Sequence, residues 1–155
     1  MKYSIREGKS ADAPEIEALL PRLADFEVPE HRNPEHLWLG DRSLLRQWAG
    51  GDRPDVDVAV AVDEKDQVVG VAIVSEKPEM LSGSPSVHLE TIAVSTSAEG
   101  HGIATALMRE TDAMAVKRGA DCISLHVFSD NTRARSLYER HGYHGELMRY
   151  YKPIK

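Results

Sequence analysis

Between residues 56 and 74 the chain abandons helical periodicity for strict alternation. Val56, Val58, Val60 and Val62 alternate with Asp57, Ala59 and Ala61. The polar stretch Asp63-Glu64-Lys65-Asp66 then interrupts a second β-rich run, Val68–Val74. Apolar residues at a period of two, a short polar turn and a second such run predict an antiparallel hairpin. Around it the pattern predicts a strand at Lys2–Arg6 and a helix from Ser10, capped by Ser10 or Asp12, with Ile16, Leu19, Leu20 and Leu23 on its inner face. Glu27–Gly40 reads as an irregular loop, and Asp41 as the cap of a helix running through Trp48. Further on come a strand at Val87–Val94, a helix from about Gly102 to Arg118, and a strand at Cys122–Phe128. A helix at Thr132–His141 and a last strand at Tyr143–Tyr151 complete the order. This is α+β, or mixed α/β, with too few parallel units for a doubly wound sheet.

At 155 residues, with no repeat, low-complexity tract or linker, the expectation is one domain over residues 1–155. Apolar residues at 41% and charged residues at 28% fit a globular core and exclude collagen-like or disordered classes. The one cysteine, Cys122, allows no internal disulfide and no zinc cluster, and it reads as a small core residue within an apolar strand. No run is long enough for a membrane span, and MKYSIREGKS lacks a signal-peptide apolar stretch, so the expected compartment is cytoplasmic. The net charge of −6 is uneven: residues 1–85 hold 10 basic and 17 acidic side chains, residues 86–155 hold 9 and 8. An acidic chain without a basic stripe is a poor nucleic-acid binder.

Two segments carry chemistry. In Val94–Leu107 a strand passes through a loop with Gly100 and Gly102 into a helix. Unpaired N–H groups at a helix start, with the positive end of its dipole, suit a phosphate, and glycines let the backbone come close. On its own this is equally a plain glycine turn. In Asn131–Tyr143, Asn131 opens a helix and Tyr138 lies two turns along nearly the same face. Tyr138 reads either as a core tyrosine with its hydroxyl at the rim or as a proton donor to a leaving group.

Taken together, the two segments resemble the GNAT superfamily of acyl-CoA N-acyltransferases over Val87–Tyr143. The first half agrees in element order. The family's loop has Arg or Gln, two free positions, Gly, one free position, then Gly or Ala. Here that falls on Glu99-Gly100-His101-Gly102-Ile103-Ala104. Glu99 departs from the pattern and puts a negative charge beside the expected pyrophosphate. Asn131, Ala134, Leu137, Tyr138, Gly142 and Tyr143 fall at the family's spacing. The resemblance implies a GNAT-like fold: a central mixed, mostly antiparallel sheet splayed into a V, flanked by about four helices, with acetyl-CoA in the opening and no metal.

The implied reaction is direct transfer of an acetyl group to a primary amine. Ile92, Ala93 and Val94 would face the pantetheine, with the Val94 N–H as oxyanion donor. The loop Glu99, Gly100, His101, Gly102, Ile103, Ala104 and Thr105 would hold the pyrophosphate, Asn131 the pantetheine arm, and Tyr138 would be the general acid. Glu90, a carboxylate in an otherwise apolar strand, is the candidate base or else a structural partner for an arginine or for water; His88, two residues away on the same face, is the second candidate or a relay, or else a surface imidazole. The acidic first half predicts a cationic small-molecule or peptide N-terminal acceptor. Phe26, Trp38 and Trp48 are either lining for that site or core, and His31, His36 and His101 are loop histidines. The edge strand Tyr143–Tyr151 is to be covered by a second copy, giving a homodimer, or within the chain. The alternatives are an inactive acyl-CoA-binding sensor of the same fold, and a nucleotide-phosphate enzyme supported by the glycine loop alone.

Overall fold

The computed structural model describes all 155 residues. The hairpin forms as the alternation requires. Strands β2 (Val56–Asp63) and β3 (Val68–Glu76) pair antiparallel, Val60 opposite Val71. Asp63 closes the turn by accepting the N–H groups of Lys65 and Gln67 at 2.9 and 3.0 Å. β1 (Tyr3–Glu7) adds antiparallel to β2, and β4 (Ser86–Val94) antiparallel to β3. β5 (Cys122–Leu125) adds parallel to β4, giving the order β1-β2-β3-β4-β5.

The alternation divides the core between the two faces of this sheet. Val56, Val58, Val60, Val62, Val71 and Ile73 pack against Ile16, Leu19 and Leu20, and against Leu44 and Leu45. These come from α1 (Ala13–Leu19), the 3-10 turn after it, and α2 (Leu39–Ala49). Ala59, Ala61, Ala72 and Val74 face Ile103, Leu107, Met108 and Met114 of α3 (Ile103–Lys117). Small residues on this second face let α3 lie close: a Cβ at Gly70 would stand 2.9 Å from Ile103 Cγ2. Burial of each large aliphatic side chain contributes about 1.5–3 kcal/mol. α4 (Thr132–Arg140) follows β5 and buries no residue fully.

Two irregularities shape the middle of the sheet. Pairing along β4 steps from Ile73–Thr91 to Val74–Leu89, so Glu90 is the extra residue of a β-bulge. The bulge reverses the alternation. Val87 and Leu89 face α3, whereas beyond it Ala93 faces α1 and α2 while Ile92 and Val94 pack on the α3 side. In addition, the β4–β5 ladder ends at Leu89–Leu125, leaving the remainder of β4 without a neighbour on that side. This is the V opening, and it begins beside the bulge.

Four sequence expectations are corrected. Tyr143–Tyr151 forms no strand, and its Leu147, Met148, Tyr150 and Tyr151 are exposed. Tyr151 instead stacks on His31 with ring centroids 4.7 Å apart, beneath Arg32, so side-chain contacts replace a ladder. β5 stops at Leu125 because the parallel ladder ends there. Cys122 is exposed, its thiol 3.4 Å from the Ser86 hydroxyl, because it lies at the beginning of this short edge strand rather than in the core. Neither Asp41 nor Asp12 caps its helix through its side chain: α2 begins two residues before Asp41, and the Asp12 carboxylate is taken by Arg6 and the Lys9 N–H. Trp38 and Trp48 pack against the core on the α2 side. No helix is long and apolar enough to cross a membrane.

Candidate active site

The glycine loop delivers the helix start that the sequence implied. Gly100 and Gly102 have φ of 78° and 80°, a left-handed conformation that side chains other than glycine's resist, and Gly102 is the residue before α3. No side chain caps this helix, and the N–H groups of Gly102, Ile103, Ala104 and Thr105 have no acceptor in the protein. Four N–H groups converge with the dipole of a fifteen-residue helix behind them. His101 is exposed on the loop.

Glu99 does not face this helix start alone. The Arg22 guanidinium, from the 3-10 turn after α1, pairs with Glu99 and with Asp25, and donates to the Val94 carbonyl at 2.9 Å. Arg133 of α4 reaches the same Glu99 oxygen at 3.4 Å. Two cations thus flank the carboxylate that departs from the family pattern, and both approach from the sides of the V. No local pattern reveals this contact, since Arg22 lies 77 residues from Glu99.

Backbone alternation places the strand groups. The Ser95 N–H bonds back to β3 through the Val69 carbonyl, so by the period of two Val94 and Ile92 turn their backbone groups away from β3 into the opening. The Val94 carbonyl agrees, being the one that Arg22 takes. Ala93, between them, is buried toward α1 and α2. Across the gap, Asn131 caps α4 with its side-chain oxygen on the Ala134 N–H at 3.3 Å, which leaves its amide NH₂ as a donor. Tyr138 packs against the α3-side core and edge-on to Tyr143 at 6.1 Å; its hydroxyl has no hydrogen bond in the protein, and burial pushes its pKa up. Phe26 meets Phe128 across the opening, ring centroids 5.6 Å apart.

The bulge builds the opposite wall. Glu90 is paired with Lys77 at 2.8 Å and lies 3.9 Å from His88 Nε2, while His88 Nδ1 bonds the Ser124 hydroxyl at 2.7 Å. The His126 ring sits 4.7 Å from that of His88. Burial is the main cause of a lowered His88 pKa, which Glu90 partly counteracts. Thr91, next along the bulge, donates its hydroxyl to Asp41 of α2 at 2.8 Å. Burial, opposed by that bond and reinforced by Glu90, lifts Asp41 to about 6. A cavity of about 460 Å³ opens here, with His36, Asp41, Gln47, Arg53, Lys77 and Glu90 in its wall. Sequence reasoning named Glu90 and His88 as candidates and read Asp41 only as a helix cap; it singled out neither Thr91 nor Lys77, which the fold brings to the same place. No three His, Cys, Asp or Glu side chains converge as metal ligands.

A cradle of helix N–H groups thus lies beside an unpaired stretch of strand, and the model of the acetyltransferase (GNAT) family matches residues 19–143. The chain belongs to the GNAT family. Among its relatives, mycothiol acetyltransferase of Jonesia denitrificans is 32% identical over 115 residues, 74% of this chain and 34% of that protein. The chain spans 34% to 45% of the lengths of the curated relatives it matches. Among solved structures, a putative acetyl transferase from Pyrococcus furiosus superposes with a TM-score of 0.73 at 23% identity, covering 99% of this chain and all of that one. The aminoglycoside acetyltransferase AAC(6')-Iy, in complex with a CoA bisubstrate analogue, superposes over the full length of both chains with a TM-score of 0.72 at 20% identity. This GNAT protein therefore shares the fold of acetyltransferases across its length.

Proposed function

We propose that this chain is an N-acetyltransferase, one catalytic unit over residues 1–155, that uses acetyl-CoA to acetylate a primary amine of a small molecule or a peptide N-terminus. The observation that carries the proposal is the set of four unpaired N–H groups at Gly102–Thr105 beside the open backbone of Ile92 and Val94. Acetyl-CoA supplies an activated thioester carbonyl. The loop Glu99–Thr105 holds its pyrophosphate through backbone N–H groups, with Arg133 close enough to turn from Glu99 to a phosphate. Ile92, Ala93 and Val94 line the arm, and the Asn131 amide bonds it from the other side. The Val94 N–H holds the developing oxyanion. Tyr138, neutral at pH 7, donates its proton to the leaving sulfur.

An amine must lose a proton to attack. Glu90 takes it on the bulge side, with His88 and Ser124 as the route by which it leaves. Lys77 holds the Glu90 carboxylate in place on this wall. The same reading places the protein in the cytoplasm, acting on small molecules or peptides rather than on nucleic acid or a membrane. It also has the protein act as a homodimer.

Calorimetry with acetyl-CoA, combined with a thiol-release assay over a panel of amines, amino acids and peptides, tests the proposal. Binding with thiol release that depends on an amine is the expected result. No binding of acetyl-CoA overturns it, and binding without turnover on any amine assigns the chain instead to an acyl-CoA-sensing role.

A further inference from the structure

Besides His36, the cavity beside the bulge has four acid or base side chains in its wall, and three of them already have a partner of opposite charge. Arg53 holds Asp55 through two hydrogen bonds of 2.9 and 2.8 Å, and Lys77 holds Glu90. Asp41 is the exception. It makes no ion pair, and its one side-chain partner is the neutral Thr91 hydroxyl on Oδ1. An ionised carboxylate removed from water without a cation is unfavourable, and its low-dielectric setting makes any cation that arrives there strongly held.

We propose that Asp41 determines acceptor specificity: it binds a second, permanently cationic group of the acceptor while the attacking amine sits at Glu90, so the substrates are small diamines or amines bearing a guanidinium. This rests on the acetyltransferase reading above. The division of labour follows from the chemistry. The attacking nitrogen must become neutral, so it cannot remain the counter-ion of Asp41. A second nitrogen that never reacts can. The bulge makes both sites available from one strand, because Glu90 and Thr91 both serve the α2 side and Thr91 fixes the Asp41 carboxylate against the cavity. Asp41 is thus a binding residue, distinct from the groups that move protons.

Three linear acceptors with the same attacking amine separate the terms: diaminobutane, butylamine and the terminal aminobutyrate. The unmodified protein should prefer diaminobutane to butylamine by about 10-fold or more in kcat/KM, the factor that about 1.4 kcal/mol of ion pairing supplies, with aminobutyrate poorest. In Asp41→Asn that ratio should fall to near one, through a higher KM for the diamine rather than a lower kcat. Asp41→Glu should restore part of the ratio, and Thr91→Val should reduce it by less. Calorimetric affinity for acetyl-CoA and a thermal melt accompany each variant, to establish that it is folded and loaded. A diamine preference that survives in Asp41→Asn overturns the proposal, as does an equal loss of kcat for all three amines. Should the unmodified protein acetylate none of them, the acetyltransferase reading is what has failed. Calorimetric binding of diaminobutane to the unmodified protein and to Asp41→Asn then decides the Asp41 site by itself: loss of heat in the variant supports it, and equal heats overturn it.

Discussion

A carboxyl group whose pKa rises on folding weakens the fold whenever it is ionised. Asp41 is such a group, lifted from 3.8 to about 6 chiefly by burial. The native state holds its proton more tightly than the unfolded chain does, so Asp41 is neutral to stability below about pH 4 and increasingly destabilising through pH 6. Asp41→Asn removes the charge and keeps a group able to accept from Thr91. It should therefore stabilise the protein by about 1–3 kcal/mol above pH 6, and by nothing near pH 4, in urea titrations across that range. A uniform gain at all pH values would assign the effect to packing instead. Asp12 and Asp55, held low by Arg6 and Arg53, have the opposite sign and lose their contribution as the solution is acidified, so the comparison must be variant against parent at each pH. At Tyr138 the hydroxyl has no partner to lose within the protein, which makes Tyr138→Phe a clean probe. It should leave acetyl-CoA binding within a few-fold and slow transfer by about 10²-fold or more. Equal rates would remove Tyr138 from the mechanism. That Asn131 opens a helix and Tyr138 sits on it was legible in the sequence because the spacing is local to one helix. Asp41 was not, since its role depends on a bulge 50 residues away whose extra residue no alternation pattern reveals.

The α3 start, the Arg22 turn and α4 meet at Glu99, and at this scale the departure from the family pattern changes meaning. In the sequence Glu99 opposes an anion. In the structure it is the hub that draws Arg22 and Arg133 to the mouth of the V. Glu99→Gln would release Arg133 toward the phosphates while Arg22 keeps the Val94 carbonyl. Acetyl-CoA should then bind about 3–10-fold more tightly at low ionic strength, with the gain shrinking in about 0.5 M salt as screening shortens its reach. Weaker binding in this variant would mean that the Glu99 ion pairs are needed to shape the loop. The hairpin, α3 and the strand before the glycine loop could be read from periodicity because each buries a regular face. Tyr143–Tyr151 could not: its alternation resembles a strand, but strand formation needs a paired neighbour. The tail instead takes Tyr151 to His31 and Arg32.

Across the whole molecule, stability is distributed unevenly about the opening. β2 and β3 are buried along nearly their full length and covered on both faces. β5 and α4 contain no fully buried residue, and β5 is held by a four-residue parallel ladder on one edge. Local opening therefore costs least in Cys122–Arg140, while β2 and β3 should open only with global unfolding. The proposed acetyl-CoA site lies between these two regimes. Ile92, Val94 and the α3 start belong to the firm side, whereas Asn131 and Tyr138 belong to the soft one. A ligand that bridges them lowers the population of the opened state in proportion to its binding, about 2.7 kcal/mol at a hundredfold excess over Kd. Hydrogen exchange read by mass spectrometry should accordingly show Cys122–Arg140 slowed about 10-fold or more by saturating acetyl-CoA, together with the amides of Gly102–Thr105. Those of Val56–Glu76 should slow only where exchange already proceeds through global unfolding. Protection confined to the glycine loop would place the ligand outside the V. Protection of both walls would locate it where β4 and β5 part, next to the bulge that brings Glu90 to the acceptor side.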